Sequence, residues 1–191
     1  MKHMIKQLVL ASSSPRRFDL LNKLGIPFIV DIANINESNY LENNPHKLVE
    51  KLSFAKAKKV AANYENAVII GADTVVYLGR NILGKPKDKN DARGMLEQLS
   101  GKKHSVITGY TLLDTASNYQ HTESIDSTIY FKKLTTKIIT NYINTGEPMD
   151  KAGAYTIQGR GASLIEQYEG NLEAIIGLPV TQIGQLLKTI L

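Results

Sequence analysis

Apolar positions along the chain recur in two rhythms, one helical and one extended. Leu8 to Ala11 is a short apolar run that reads as a first strand. Ser12-Ser13-Ser14 interrupts it, and Pro15 suits a first helical position, so the spacing predicts a helix from Pro15 to Leu24 closed by Gly25. Pro27 to Ile32 reads as a second strand, and Pro45 to Asn63 as a helix with Leu48, Leu52 and Ala55 on one stripe. Ala67 to Tyr77 is a near-continuous apolar run, the pattern of a strand covered on both faces. Leu78-Gly79-Arg80-Asn81 turns the chain back into Ile82-Leu83-Gly84, and Lys89 to Leu99 is a helix ended by Ser100-Gly101. His104 to Leu113 and Glu123 to Phe131 read as a long antiparallel pair. Thr135 to Asn144 is a helix stopped by Gly146, and Pro179 opens a last helix, Val180 to Leu191. Strand-like and helix-like segments alternate, which predicts an α/β or mixed α/β fold. No repeat or linker divides the 191 residues, so a single domain over 1–191 is expected, with a bilobed domain also in range.

Composition narrows the chemistry. There is no cysteine, which excludes thiol catalysis, thiolate metal sites and disulfides, and fits a reducing, cytoplasmic setting. Any metal is then held by oxygen or imidazole, which favours a hard cation such as Mg2+ or Mn2+. No run of about 18 apolar residues is present, so no membrane span is expected. The net charge is +5, but the lysines are scattered with no basic stripe interleaved with aromatics, so no nucleic-acid partner is expected. A polyanionic small substrate accounts for the excess equally well. The four histidines (His3, His46, His104 and His121) show no metal-ligand spacing and read as structural or surface groups. Walker, Gly-x-Gly-x-x-Gly and zinc patterns are absent.

Three segments carry candidate chemistry. In the first, Leu8 to Arg17, a strand runs through a hydroxyl-rich loop into a helix N-terminus, whose unpaired N–H groups and partial positive charge form a natural phosphate cradle. Two arginines in that first turn oppose the helix dipole and become sensible if an anion occupies it. The same residues also read as an ordinary N-cap with two surface arginines. Arg17 shares a stripe with Leu20, Leu21 and Leu24, which turns its base toward the core side. In the second segment, Val68 to Val76, Asp73 lies inside an apolar strand, where a carboxylate is costly unless it is paired or binds a metal. Alternation places Asp73 on the face of Ile69 and Gly71, with Thr74 opposite. Such a carboxylate can ligate a cation or take a proton from water, or else serve structurally by bonding backbone amides. Lys56, at the edge of a helical stripe, and Lys85, in a loop after a strand, read alone as surface lysines. In the third segment, residues 146–161, glycines, charges, a tyrosine and Gln158 crowd a loop, and Gln158 has the donor and acceptor needed to read a base edge.

Together these pieces resemble the Maf family of nucleotide pyrophosphatases. The matching motifs are Leu-Ala-Ser-Ser-Ser-Pro-Arg-Arg (10–17), Gly-Ala-Asp-Thr-Val-Val (71–76), Gly-Lys-Pro (84–86), Leu-Ser-Gly (99–101), Asp-Lys-Ala-Gly-Ala-Tyr (150–155), Ile-Gln-Gly (157–159) and Gly-Leu-Pro (177–179). They span essentially the whole chain in order. The resemblance implies a mixed, twisted α/β sheet flanked by helices, with two lobes around a central substrate cleft, in a homodimer. It also implies hydrolysis between the α- and β-phosphates of a nucleoside triphosphate, with a divalent metal. Asp73 then matches the proton acceptor and a metal ligand, and Glu37 an acidic position that helps hold metal. Arg16, Thr74 and Gln158 match positions tied to substrate choice, Arg17, Lys56, Lys85 and Lys151 match phosphate-side cations, and Ser12 falls in the matching loop motif. The 150–159 segment resembles the dTTP/UTP branch. Asn36 stands where an acid often precedes Glu37, and Thr156 where glycine is common. The rival expectations are a house-cleaning pyrophosphatase for modified nucleotides and a nucleotide-binding cell-division regulator without turnover.

Overall fold

The computed structural model describes residues 6–117 and 119–191; His3 lies outside them. Among the described residues seven strands form one mixed sheet flanked by helices, the fold class the sequence predicts. In chain order the main elements are β1 (Gln7–Leu10), α1 (Pro15–Asn22), β2 (Ile29–Val30), α2 (Pro45–Ala61), β3 (Ala67–Leu78), β4 (Asn81–Leu83), α3 (Lys89–Leu99), β5 (Lys103–Asp114), β6 (Gln120–Phe131), α4 (Thr136–Asn144), β7 (Ile165–Glu169), α5 (Leu172–Ile176) and α6 (Val180–Ile190). The sheet order is β2-β1-β3-β5-β6-β7, with β4 turning back antiparallel on β3. β1 runs parallel to both β2 and β3. β5 and β6 form the expected antiparallel pair, tied by Asp114 N to Tyr119 O at 2.9 Å and by Phe131 N to Lys102 O at 3.0 Å.

The strand foreseen at Pro27 to Ile32 shrinks to Ile29–Val30, because it is a sheet edge with only β1 to pair with. β7 and α5 escape the sequence pattern: β7 is exposed at four of its five positions, and α5 is too short to show a period.

The chain divides into two compact units. The first comprises Met1–Asp73, Thr108–Ile125 and Gly177–Leu191, and the second Thr74–Ile107 and Asp126–Ile176. In the first, α2 lies directly on the sheet because two strand positions lack a side chain. A Cβ at Gly109 would come within 2.5 Å of the Val49 carbonyl, and one at Gly71 would collide with the Ser53 carbonyl and the Ala57 amide. The helix therefore buries Val49, Leu52, Ser53, Ala57 and Val60, while Leu48, placed on the stripe by spacing alone, is only half-buried. Ser53 Oγ meets Thr111 Oγ1 at 2.9 Å, which satisfies the polar pair that this close approach buries.

The core of the second unit gathers Val76, Leu96, Leu99, Ile129, Phe131, Ile139, Tyr155 and Leu164. His104 sits inside it, its ring edge-on to Phe131 and Tyr155, with Nε2 2.6 Å from the Tyr155 hydroxyl. Burial pushes its imidazole down from 6.5 to about 4, so the folded state holds it neutral. An unfolded histidine takes up a proton as pH falls below about 6.5, and the folded one resists. The stability His104 contributes is thus present above that pH and is lost on approach to pH 4. A loss of about 2–3 kcal/mol is expected between the two, and His104→Gln should flatten that part of the profile in urea titrations.

Candidate active site

The parallel pairing of β1 and β3 sets the site. Leu10 lies opposite Ile70, and Ala11 N donates to Ile70 O at 2.8 Å, so the loop leaving β1 runs beside Gly71-Ala72-Asp73. That loop ends in Ser14, the N-cap of α1, whose hydroxyl accepts from Arg17 N. Ser12 is buried, and its Oγ accepts from Ser14 N at 3.2 Å and from Arg17 Nη1 at 3.4 Å. Its own O–H thus remains as a donor. The arrangement, a helix N-terminus at the carboxyl ends of parallel strands, is where α/β sheets bind phosphate-bearing ligands.

Asp73 follows Ile69 and Gly71 on the strand face that α2 covers. Because Gly71 lets Ala57 approach so closely, the preceding residue, Lys56, is carried over the middle of β3. Its Nζ donates to Asp73 Oδ1 at 2.5 Å and pairs with Glu37 Oε1 at 2.8 Å. Asp73 and Lys56 are both nearly buried, with side chains 11% and 12% exposed, whereas Glu37 is over half exposed. Asp73 is therefore paired with a side-chain cation, which offsets the cost of burying its carboxylate. Glu37 reaches this point on a short 3-10 turn, Glu37–Asn39, capped by Asn36, whose side chain accepts from Ser38 N. Asn36 thus shapes the turn.

Arg17 is half-buried and anchored by Nε to Gly177 O at 2.9 Å. Burial lowers its guanidinium pKa, the charges of Asp73 and Glu37 raise it, and that of Arg16 lowers it. Ser12, Arg16, Arg17, Glu37, Lys56 and Asp73 are thus brought together in the first unit, three cations with two carboxylates. Among the described residues no group of three or more His, Asp or Glu side chains converges into a ready metal cage.

Thr74, Lys85, Lys151 and Gln158 belong to the second unit. Lys85 is exposed just after β4, and the Gly84 carbonyl before it accepts from Gly153 N at 2.9 Å, joining the Lys85 and Lys151 segments. Gly153 has φ +66 and packs against Val76 so closely that a Cβ would come within 2.8 Å of it. Lys151 pairs with neighbouring Asp150. Gln158 is exposed, and its backbone N donates to Thr156 Oγ1 at 3.2 Å. Three histidines keep the structural roles expected: His46 meets Ser124 at 3.0 Å, His121 meets Glu123 at 3.3 Å, and His104 is a core group. Glu147, to which sequence reasoning gave no role, holds the loop after Gln158 through its carboxylate.

The family model described as "Maf-like protein" matches residues 7–190, and the chain belongs to this family. It is 45% identical over 184 residues to the dTTP/UTP pyrophosphatase of Alkaliphilus metalliredigens, covering 96% of this chain and 95% of that protein. It is likewise 45% identical over 184 residues to the dTTP/UTP pyrophosphatase of Pelotomaculum thermopropionicum, covering 96% of each chain. The protein of that name from Clostridioides difficile is 43% identical over 181 residues, covering 95% of this chain and 93% of its own length. Among the described residues no helix is long and apolar enough to cross a membrane.

Proposed function

We propose that this chain hydrolyses the pyrimidine nucleoside triphosphates dTTP and UTP to the monophosphate and pyrophosphate, with Asp73 as proton acceptor. The observation that carries the reading is the nearly buried Asp73–Lys56 pair, joined by Glu37, beside a serine-lined loop that opens a helix. The shared name of the relatives supports the substrate class.

A divalent metal fits this donor set. Asp73 and Glu37 offer hard oxygen atoms that already converge on one positive charge, the Lys56 ammonium. Mg2+ and Mn2+ are commonly held by one or two carboxylates, with substrate phosphates and water completing the shell. Asp73 and Glu37 would hold it. When bound, it would polarise phosphate oxygens and make water more acidic.

The chain's own groups divide the remaining work. Asp73, as carboxylate, takes the proton of the attacking water. The water oxygen bonds to the α-phosphorus as its bond to the α–β bridging oxygen breaks, and pyrophosphate leaves with that electron pair. Arg17 and Lys56, as phosphate-side cations, offset the charge of the triphosphate, which positioned cations stabilise most where it grows in the transition state, and Arg16 takes part in substrate choice. The Ser12 hydroxyl and the first amides of α1 donate to phosphate oxygens. Thr74, Lys85, Lys151 and Gln158 are further substrate-binding residues in this reading, Gln158 through the base.

A panel of nucleoside triphosphates, with Mg2+ and with Mn2+, tests it by measuring pyrophosphate separately from orthophosphate. Metal-dependent pyrophosphate release from dTTP and UTP is expected. Orthophosphate as the first product, or nucleotide binding without turnover, would reject the proposal.

A further inference from the structure

The loop that carries Gln158 is held from both sides. On one side Thr156 Oγ1 accepts from Gln158 N at 3.2 Å. On the other, Glu147 reaches across from the end of α4. Its Oε1 accepts from Arg160 N at 3.1 Å and its Oε2 from Gly161 N at 2.8 Å. Gly159, between these anchors, has φ +64, and a Cβ there would collide with Glu147 Oε1. Both its left-handed backbone and its bare approach to the carboxylate call for glycine. Glu147 is fixed in turn, its N donating to Thr145 Oγ1 at 3.1 Å after Gly146 at φ +77.

Two consecutive N–H groups aimed at one point form an anion-binding nest. Here the protein's own carboxylate fills it, through charge-assisted bonds that are stronger than neutral ones. A second anion is repelled from that position, so the loop is not a phosphate cradle. What it offers a nucleotide is the exposed amide of Gln158.

We infer that Glu147 is a positioning residue that sets base selectivity by holding Gln158. The inference rests on the proposed reading of Gln158 as a base-contacting group. An amide discriminates between bases only if its backbone is held to a fraction of an ångström, and Glu147 and Thr156 supply that constraint.

The test measures kcat and KM for dTTP and for dATP, in the metal-loaded protein, with Q158A, E147A, E147Q and the E147A/Q158A double variant. Thermal unfolding of each is followed in parallel. Q158A is expected to lower the dTTP-over-dATP ratio of kcat/KM. E147A should lower the same ratio by about tenfold, mainly through the KM for dTTP. E147Q should fall between wild type and E147A, because its amide oxygen accepts one N–H while its NH2 faces the other. It also keeps the test open if E147A folds poorly. The double variant should be no less selective than Q158A alone, since both changes remove one function. If Q158A lowers the ratio while E147A and E147Q slow both nucleotides equally, or if the two effects multiply, the role of Glu147 is overturned. If Q158A leaves the ratio unchanged, the base-contact reading itself fails, and this inference with it.

Discussion

Asp73→Asn is expected to lower kcat for dTTP by about 10³-fold, within the range a positioned proton acceptor contributes. The fold should survive the change. Lys56 keeps its 2.8 Å contact with Glu37, and the Asn carbonyl can still accept from the same Nζ, so the ammonium is not left buried without a partner. The melting temperature should therefore move by only a few degrees, as expected for loss of about 1 kcal/mol. Steady-state rates at saturating metal, read beside thermal unfolding, check both halves. Near-wild-type kcat in Asp73→Asn would remove Asp73 from the mechanism, and a collapse in stability would make it a structural residue.

Gly71→Ala should strongly destabilise the fold. The added Cβ meets the Ser53 carbonyl and, at 2.8 Å, the Ala57 amide, both backbone atoms of a packed helix. No rotamer can relieve a clash between backbone and Cβ, so α2 must move away from β3. Overpacking of this kind costs about 3 kcal/mol, measurable as a shift in urea midpoint. Because Lys56 lies one residue before Ala57, the same shift lengthens its 2.5 Å contact with Asp73, and activity should fall with stability. An unchanged urea midpoint would mean that α2 is not held at Gly71 as described.

How much of this was legible in sequence differs between elements. Ala67 to Tyr77 announced itself as a doubly covered strand, and all but three of the twelve residues of β3 are buried. Alternation then placed Asp73 on the covered face, where Lys56 meets it. What alternation cannot supply is the partner. Lys56 read alone as a surface lysine, and only the glycine contacts that seat α2 bring it over Asp73. Those contacts also turn the buried stripe of α2 toward Val49 and away from Leu48. Glu37 was visible only through the family resemblance, because a three-residue 3-10 turn has no periodicity to read. Glu147 was passed over for a related reason: its partners, Arg160 N and Gly161 N, are thirteen and fourteen residues away and are backbone groups that leave no mark in sequence.

In the proposed mechanism, water attack at the α-phosphorus is the step that unites the buried carboxylate, the cations and the serine loop. Hydrolysis of dTTP in water enriched in the heavy oxygen isotope, with mass analysis of both products, tests that step. The label is expected in dTMP, with pyrophosphate unlabelled. Label in pyrophosphate instead would place the attack on the β-phosphorus and contradict the account.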